Sequence, residues 1–269
     1  MNTFVIYGCS YSYGAGLYYH EWLKDKPDGF RIPKDHDMWV QHSERISSRD
    51  HRFREDNRFV GLLSNELGMD FYDYSGVGGN NNQIVGDAIR FVQNNQYNGV
   101  TQIENDKVIP RKIEFLLVQL TDPTRGYTEP TSTELREWDK YKSFEEHWDE
   151  YLNNLVEKID TLYEECKKIN LKFCLFSMDE SIAIKLVDKD YFVPIYFDGI
   201  EYHSVDNLKL EKNGILNSNG HSIYTMGKNI NVPLFICDEL HQYGSRDTHL
   251  GINGHKIVKD SIIRKLEEK

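Results

Sequence analysis

Phe4 to Tyr7, Phe115 to Gln119 and Phe173 to Phe176 are short apolar runs, each bounded by polar or glycine-containing stretches. Runs of this length read as strands. Met69 to Tyr74 reads as a further, less apolar one. Between them the hydrophobic residues recur at helical spacing over Arg58 to Leu67, Asn82 to Asn94 and Phe144 to Ile169, the last with Trp148, Leu152, Leu155, Ile159, Leu162 and Cys166 on one stripe. Ile257, Val258, Ile262, Ile263 and Leu266 make the apolar stripe of a closing helix that starts near Asn253. Strand and helix therefore alternate. That alternation predicts an α/β fold in which helices cover both faces of a central parallel sheet, with functional residues on the loops at the carboxyl ends of the strands.

A chain of 269 residues is long enough to bury a sizeable core, and no clear linker divides it, so residues 1–269 read as one α/β domain with insertions. Three stretches break the alternation: about 18–57, rich in Tyr, Trp and His; 122–143, polar with two prolines; and 179–246, whose ends suggest short strands or turns. Insertions of this length in compact domains usually serve as lids, binding loops or assembly surfaces. A net charge of −11, from 43 acids against 32 bases, argues against a nucleic acid partner, because a phosphate backbone rewards clustered Lys and Arg. Cys9, Cys166, Cys174 and Cys237 lie far apart without C-x-x-C pairing, which favours reduced, buried thiols over a zinc ribbon or a disulfide framework. No run approaches bilayer-spanning length and no signal-peptide pattern opens the chain, so the expectation is a soluble protein without a membrane partner, cytoplasmic or part of an assembly made there.

Two motifs at opposite ends of the chain carry chemistry. Gly8-Cys9-Ser10-Tyr11-Ser12-Tyr13-Gly14 follows the first strand, and Asp247-Thr248-His249 precedes Leu250-Gly251-Ile252-Asn253-Gly254-His255 and the closing helix. A serine hydroxyl is a poor nucleophile until an imidazole takes its proton and a third group fixes that imidazole. Ser10, His249 and Asp247 supply those three parts. A glycine-containing turn after a strand also suits a simple tight connection or an anion at a helix N-terminus. Asp247, His249 and His255 admit a metal reading too, but their spacing matches no zinc signature, and the expectation is no metal and no cofactor.

The first motif resembles the first block of the SGNH/GDSL hydrolases, a family of esterases and carbohydrate O-deacetylases on a flavodoxin-like three-layer α/β/α sandwich. Asp-Thr-His-Leu with Gly254-His255 resembles the family's last block, and Tyr74-Ser75-Gly76-Val77-Gly78-Gly79-Asn80 resembles its second. The resemblance implies Ser10 as nucleophile, His249 as base and Asp247 as its partner. It also implies an oxyanion hole from the Ser10 and Gly79 backbone N–H groups and one side-chain donor.

The sequence departs from the family pattern twice. Cys9 stands where the family most often has Asp, and the third block, which normally brings an Asn as oxyanion donor, reads Leu120-Thr121-Asp122-Pro123-Thr124-Arg125. Thr121, Arg125 or one of Asn80, Asn81 and Asn82 is left to supply that donor, and loss of one such donor costs roughly 3–4 kcal/mol of transition-state stabilisation. Tyr11, Tyr13 and Arg125 are the expected substrate-binding residues. Two function classes follow: an ester hydrolase acting on a small-molecule or carbohydrate ester, for which the aromatic insertions suggest O-acetylated sugar, and a catalytically weakened binding or structural module of a larger assembly.

Overall fold

The computed structural model describes residues 2–9, 12, 17, 48–76, 79–98, 101–104, 107–126, 144–208, 250 and 252–268. Ser10, Tyr11, Tyr13, Asp247 and His249 lie outside the described residues, as do most of the three insertions.

Strand β1 (Asn2–Tyr7) is followed by α1 (Ser48–Asn57), α2 (Phe59–Leu67), β2 (Asp70–Asp73) and α3 (Asn81–Gln93). A hairpin of β3 (Thr101–Glu104) and β4 (Lys107–Pro110) then leads into β5 (Lys112–Leu120). The chain continues through α4 (Phe144–Lys168), β6 (Lys172–Ser177), the short α5 (Glu180–Ala183), a second hairpin of β7 (Ile195–Phe197) and β8 (Ile200–Tyr202), and α6 (Ile252–Glu267). Among the described residues, no helix is long and apolar enough to cross a membrane.

The main sheet is entirely parallel, in the order β2-β1-β5-β6. Beyond β6 the chain returns at Phe192, which forms a parallel bridge to Leu175 through Leu175 N–H to Tyr191 O (2.9 Å) and Val193 N–H to Leu175 O (2.7 Å). This rudimentary edge completes the flavodoxin-like order, in which the winding reverses between β1 and its neighbour on the far side from β2. Here that neighbour is β5. The crevice favoured for ligands therefore opens beyond Tyr7 and Leu120.

Both faces of the sheet are covered, which is why β1, β5 and β6 read as nearly unbroken apolar runs rather than alternating ones. On one face Phe4 stacks on Phe115 (centroids 4.8 Å apart), and Phe59 of α2 meets Phe176 edge-on (5.4 Å). On the other, Phe91 of α3 packs beside Tyr7 (6.0 Å) and Tyr163 of α4 beside Phe173 (6.3 Å). Burying each of these rings stabilises the fold by about 1.5–3 kcal/mol. Helix α3 buries Ile84, Val85, Ala88, Phe91 and Val92 along one stripe, and α4 buries Leu152, Leu155, Ile159, Leu162 and Cys166. Burial pushes the Cys166 thiol up to about 12 and the Cys174 thiol up to about 11, so both stay protonated at neutral pH.

Helix α2 stops at Gly68, whose left-handed φ of 61° suits glycine, with Met69 N–H returning to Ser64 O (3.1 Å). At its other end Phe59 N–H, one of the orphan donors of a first turn, is taken by His255 Nδ1 (3.2 Å), while the imidazole stacks on the Phe59 ring. His255 is fully buried in this role as a cap on α2.

The expected strands and helices are all present, with boundaries that shift by three residues at most. Part of the 18–57 stretch is α1, and part of 179–246 is α5 and the β7–β8 hairpin. The β3–β4 hairpin has no counterpart in the sequence reading.

Candidate active site at the sheet's switch point

Strand β1 ends at Tyr7, and Gly8-Cys9 leads directly into the Ser10 motif. The site is built from the four loops that leave the carboxyl ends of β1, β2, β5 and β6. The loop after β2 runs alongside the start of the motif: Tyr74 N–H donates to Ile6 O (2.9 Å), Gly76 N–H donates to Gly8 O (3.2 Å), and a Cβ placed on Gly79 would lie 3.7 Å from that same carbonyl. The loops after β5 and β6 are joined by Met178 N–H to Leu120 O (3.1 Å). The described residues of the first, second and third blocks thus meet at one end of the sheet.

Of the two motif serines, Ser12 is fully buried and its Oγ donates to Gln119 Oε1 (2.8 Å). Cys9 N–H donates to the same oxygen (3.1 Å), and Gln119 Nε2 donates to Leu120 O (2.7 Å). Gly8 has to be glycine, because a Cβ there would fall 2.2 Å from Ser12 Oγ and 3.0 Å from Gln119 Oε1. Arg58 adds a second hold: its guanidinium, 3% exposed, donates to Ser12 O (3.1 Å), pairs with Asp73 and with Glu55 (2.5 Å), and lies over the Phe71 ring (5.1 Å). Asp73 also accepts from Ser75 N–H (2.7 Å), which ties the second loop to the same cation.

Asn80 is the N-cap of α3, its Oδ1 accepting from Gln83 N–H (2.9 Å), so the amide nitrogen is the end left to donate. Asn81 is fully buried and clips the end of β5: Nδ2 donates to Thr121 O (2.9 Å) and Oδ1 accepts from Thr121 N–H (2.8 Å), leaving one amide hydrogen. Asn82 accepts from Lys158 of α4 (2.8 Å). The Gly79 N–H points to Gly76 O at 3.4 Å, a long contact. Thr121 is fully buried, and among the described residues its Oγ1 has no hydrogen-bond partner. Arg125 is exposed on the short 3-10 turn Pro123–Gly126. Beside this end of the sheet, burial, together with the charges of Asp206 and Asp122, raises the Asp179 carboxyl against the pull of its hydrogen bonds from Ser181.

Gln119 and Arg58 were missed as site residues. A signal existed for the first, a lone amide ending an apolar run destined for a central strand. Arg58 carried none, because its partners at residues 12, 55 and 73 follow no spacing rule. Among the described residues, no group of three or more His, Cys, Asp or Glu is arranged to hold a metal ion.

No protein-family model and no curated protein matches the chain. Among solved structures it is similar to a protein from Desulfitobacterium hafniense DCB-2 designated as lipolytic and of the G-D-S-L family, at 8% identity and a TM-score of 0.38, over 98% of this chain and 99% of that one. It is also similar to a carbohydrate esterase whose active site is described as having divergent catalytic and non-catalytic binding functions, at 13% identity and a TM-score of 0.42, over 100% of this chain and 65% of that one. At scores and identities this low, neither likeness assigns the chain to a family or to an activity; the sheet order itself shows a doubly wound α/β fold.

Proposed function

We propose that the chain is a serine hydrolase of SGNH/GDSL type that cleaves carboxylic esters, with O-acetyl groups on a carbohydrate as the preferred substrate class. The observation that carries the reading is the state of Ser12. Its hydroxyl is buried and spent on Gln119, so Ser10 is the serine of the motif left for chemistry, shortly after β1 ends at the point where the sheet reverses its winding.

In this reading Ser10 Oγ attacks the ester carbonyl and its proton passes to His249, whose cation Asp247 stabilises. The alcohol leaves with that proton, and water, deprotonated by the same imidazole, releases the carboxylic acid from the acyl-enzyme. The Ser10 and Gly79 N–H groups, the Asn80 amide, the remaining Asn81 N–H and the Thr121 hydroxyl are the donors for the oxyanion. An orphaned buried hydroxyl costs about 1–3 kcal/mol, a cost that a developing negative charge would offset. Tyr11, Tyr13 and Arg125 form the substrate rim.

A fluorophosphonate probe should label Ser10, and Ser10→Ala should abolish both labelling and p-nitrophenyl acetate hydrolysis with folding intact. Half of wild-type activity in Ser10→Ala would refute the assignment. One observation favours the second reading, a weakened binding module: the Asn nearest to β5, Asn81, spends its amide on the Thr121 backbone instead of standing free. A folded chain that binds acetylated oligosaccharide without hydrolysing it would decide for that alternative.

A further inference from the structure

A buried amide on a central strand is costly unless each of its polar atoms is met. Gln119 is fully buried next to the last residue of β5, beside the start of the Ser10 motif. A leucine there would bring no polar atom of its own into the core, so the sheet itself does not call for an amide. What the amide meets is the motif. Its Oε1 has two lone pairs and takes Cys9 N–H (3.1 Å) and Ser12 Oγ (2.8 Å), with Cys9 Sγ at 3.4 Å; its Nε2 is turned to Leu120 O (2.7 Å) and fixes the amide's orientation. One oxygen thus grips the chain immediately before and shortly after Ser10. The grip is internal, since Ser12 and Cys9 are both fully buried.

We infer that Gln119 is a positioning residue for the segment that carries Ser10, fixing its flanks through Cys9 N–H and Ser12 Oγ so that it governs the rate of acyl transfer and not the affinity for ester. This rests on Ser10 being the nucleophile. Displacing a reacting group by about 1 Å costs on the order of a hundredfold in rate, and a rigid second layer is what prevents such displacement.

The test compares wild type, Gln119→Leu, Gln119→Glu and Ser12→Ala by fluorophosphonate labelling rate and by kcat and KM for p-nitrophenyl acetate, with thermal melts as the folding control. Gln119→Leu should lower kcat and the labelling rate by about 10- to 100-fold with KM held within about twofold. In Gln119→Glu a protonated carboxyl reproduces the amide, accepting from the motif and donating to Leu120 O, whereas the ionised form sets a negative oxygen against that carbonyl. Its kcat/KM should therefore fall with rising pH where the wild-type profile stays level. A residue that merely filled space would leave the shape of the profile unchanged. Failure of the wild type to label at Ser10 removes the hydrolase reading and this inference together. A labelled wild type beside a folded Gln119→Leu that labels within about twofold overturns the inference alone. Where Gln119→Leu does not fold, Ser12→Ala decides: a several-fold slower labelling at unchanged melting temperature supports the grip, and wild-type labelling refutes it.

Discussion

Asn81→Ala tests whether the start of α3 is fastened to the end of β5 by the amide clip, and so whether the second and third loops form one unit. The wild-type side chain makes two buried hydrogen bonds to a single backbone residue, 2.9 Å to Thr121 O and 2.8 Å from Thr121 N–H. Alanine leaves both backbone groups without that partner in a site where Asn81 and Thr121 are fully buried. An orphaned buried donor or acceptor costs about 1–3 kcal/mol, and removing the amide's own desolvation returns part of that, so a net loss of about 2–4 kcal/mol is expected. For a chain of this size each kcal/mol lowers the melting temperature by about 2–4 °C, which gives a drop of about 5–15 °C by circular dichroism. The neighbouring Asn80→Ala is the internal reference, because it removes a single exposed cap bond to Gln83 N–H and should cost only about 1 kcal/mol. Equal melting temperatures for the two variants would show that the clip contributes no more than an ordinary cap, and the reasoning about coupled loops would fail.

Arg58→Met should destabilise by about 3–5 kcal/mol in urea unfolding, because it takes the Arg58 cation from the half-buried Asp73 carboxylate and releases Ser12 O, while Glu55 keeps its pair with Arg54; a loss below about 1 kcal/mol would refute the account of Arg58 as the link between the two loops. Asp179→Asn should stabilise at neutral pH and not at acid pH. The carboxyl's folded pKa is raised, mainly by burial, above its unfolded value of ~3.9, so this group's contribution to wild-type stability is fully present below that value and is lost as pH rises through the folded pKa. Asparagine keeps the cap on Ser181 N–H without ionising, and a gain in melting temperature that is the same at pH ~3 and pH ~7 would contradict this sign.

The order of strands and helices, and the end of the sheet at which the loops gather, were legible in the sequence because both depend on local patterning. Apolar runs such as Phe4 to Tyr7 are continuous since helices cover both faces of a parallel strand, and the stripe from Trp148 to Cys166 keeps helical period since one face of α4 is buried. That Gly8-Cys9 leaves the first strand at this end of the sheet was legible too, because it follows directly from where the apolar run stops. Helix α1 and the β3–β4 hairpin were not, and the β7–β8 hairpin showed only as short strands or turns at the ends of 179–246: α1 has almost no apolar face, and the strands of the hairpins are three or four residues long, too short for a period to show. The roles of particular polar residues were decided by tertiary structure. Gln119 and Ser12 are 107 residues apart and Arg58 and Ser12 46 apart, so nothing local pairs them. Tertiary packing also buried Ser12 of the motif against Gln119, and made His255 a cap for a helix 196 residues upstream. A hydrogen bond depends on where the backbone brings two groups, and in a doubly wound sheet that is settled only when β1, β5 and the helices over them have packed.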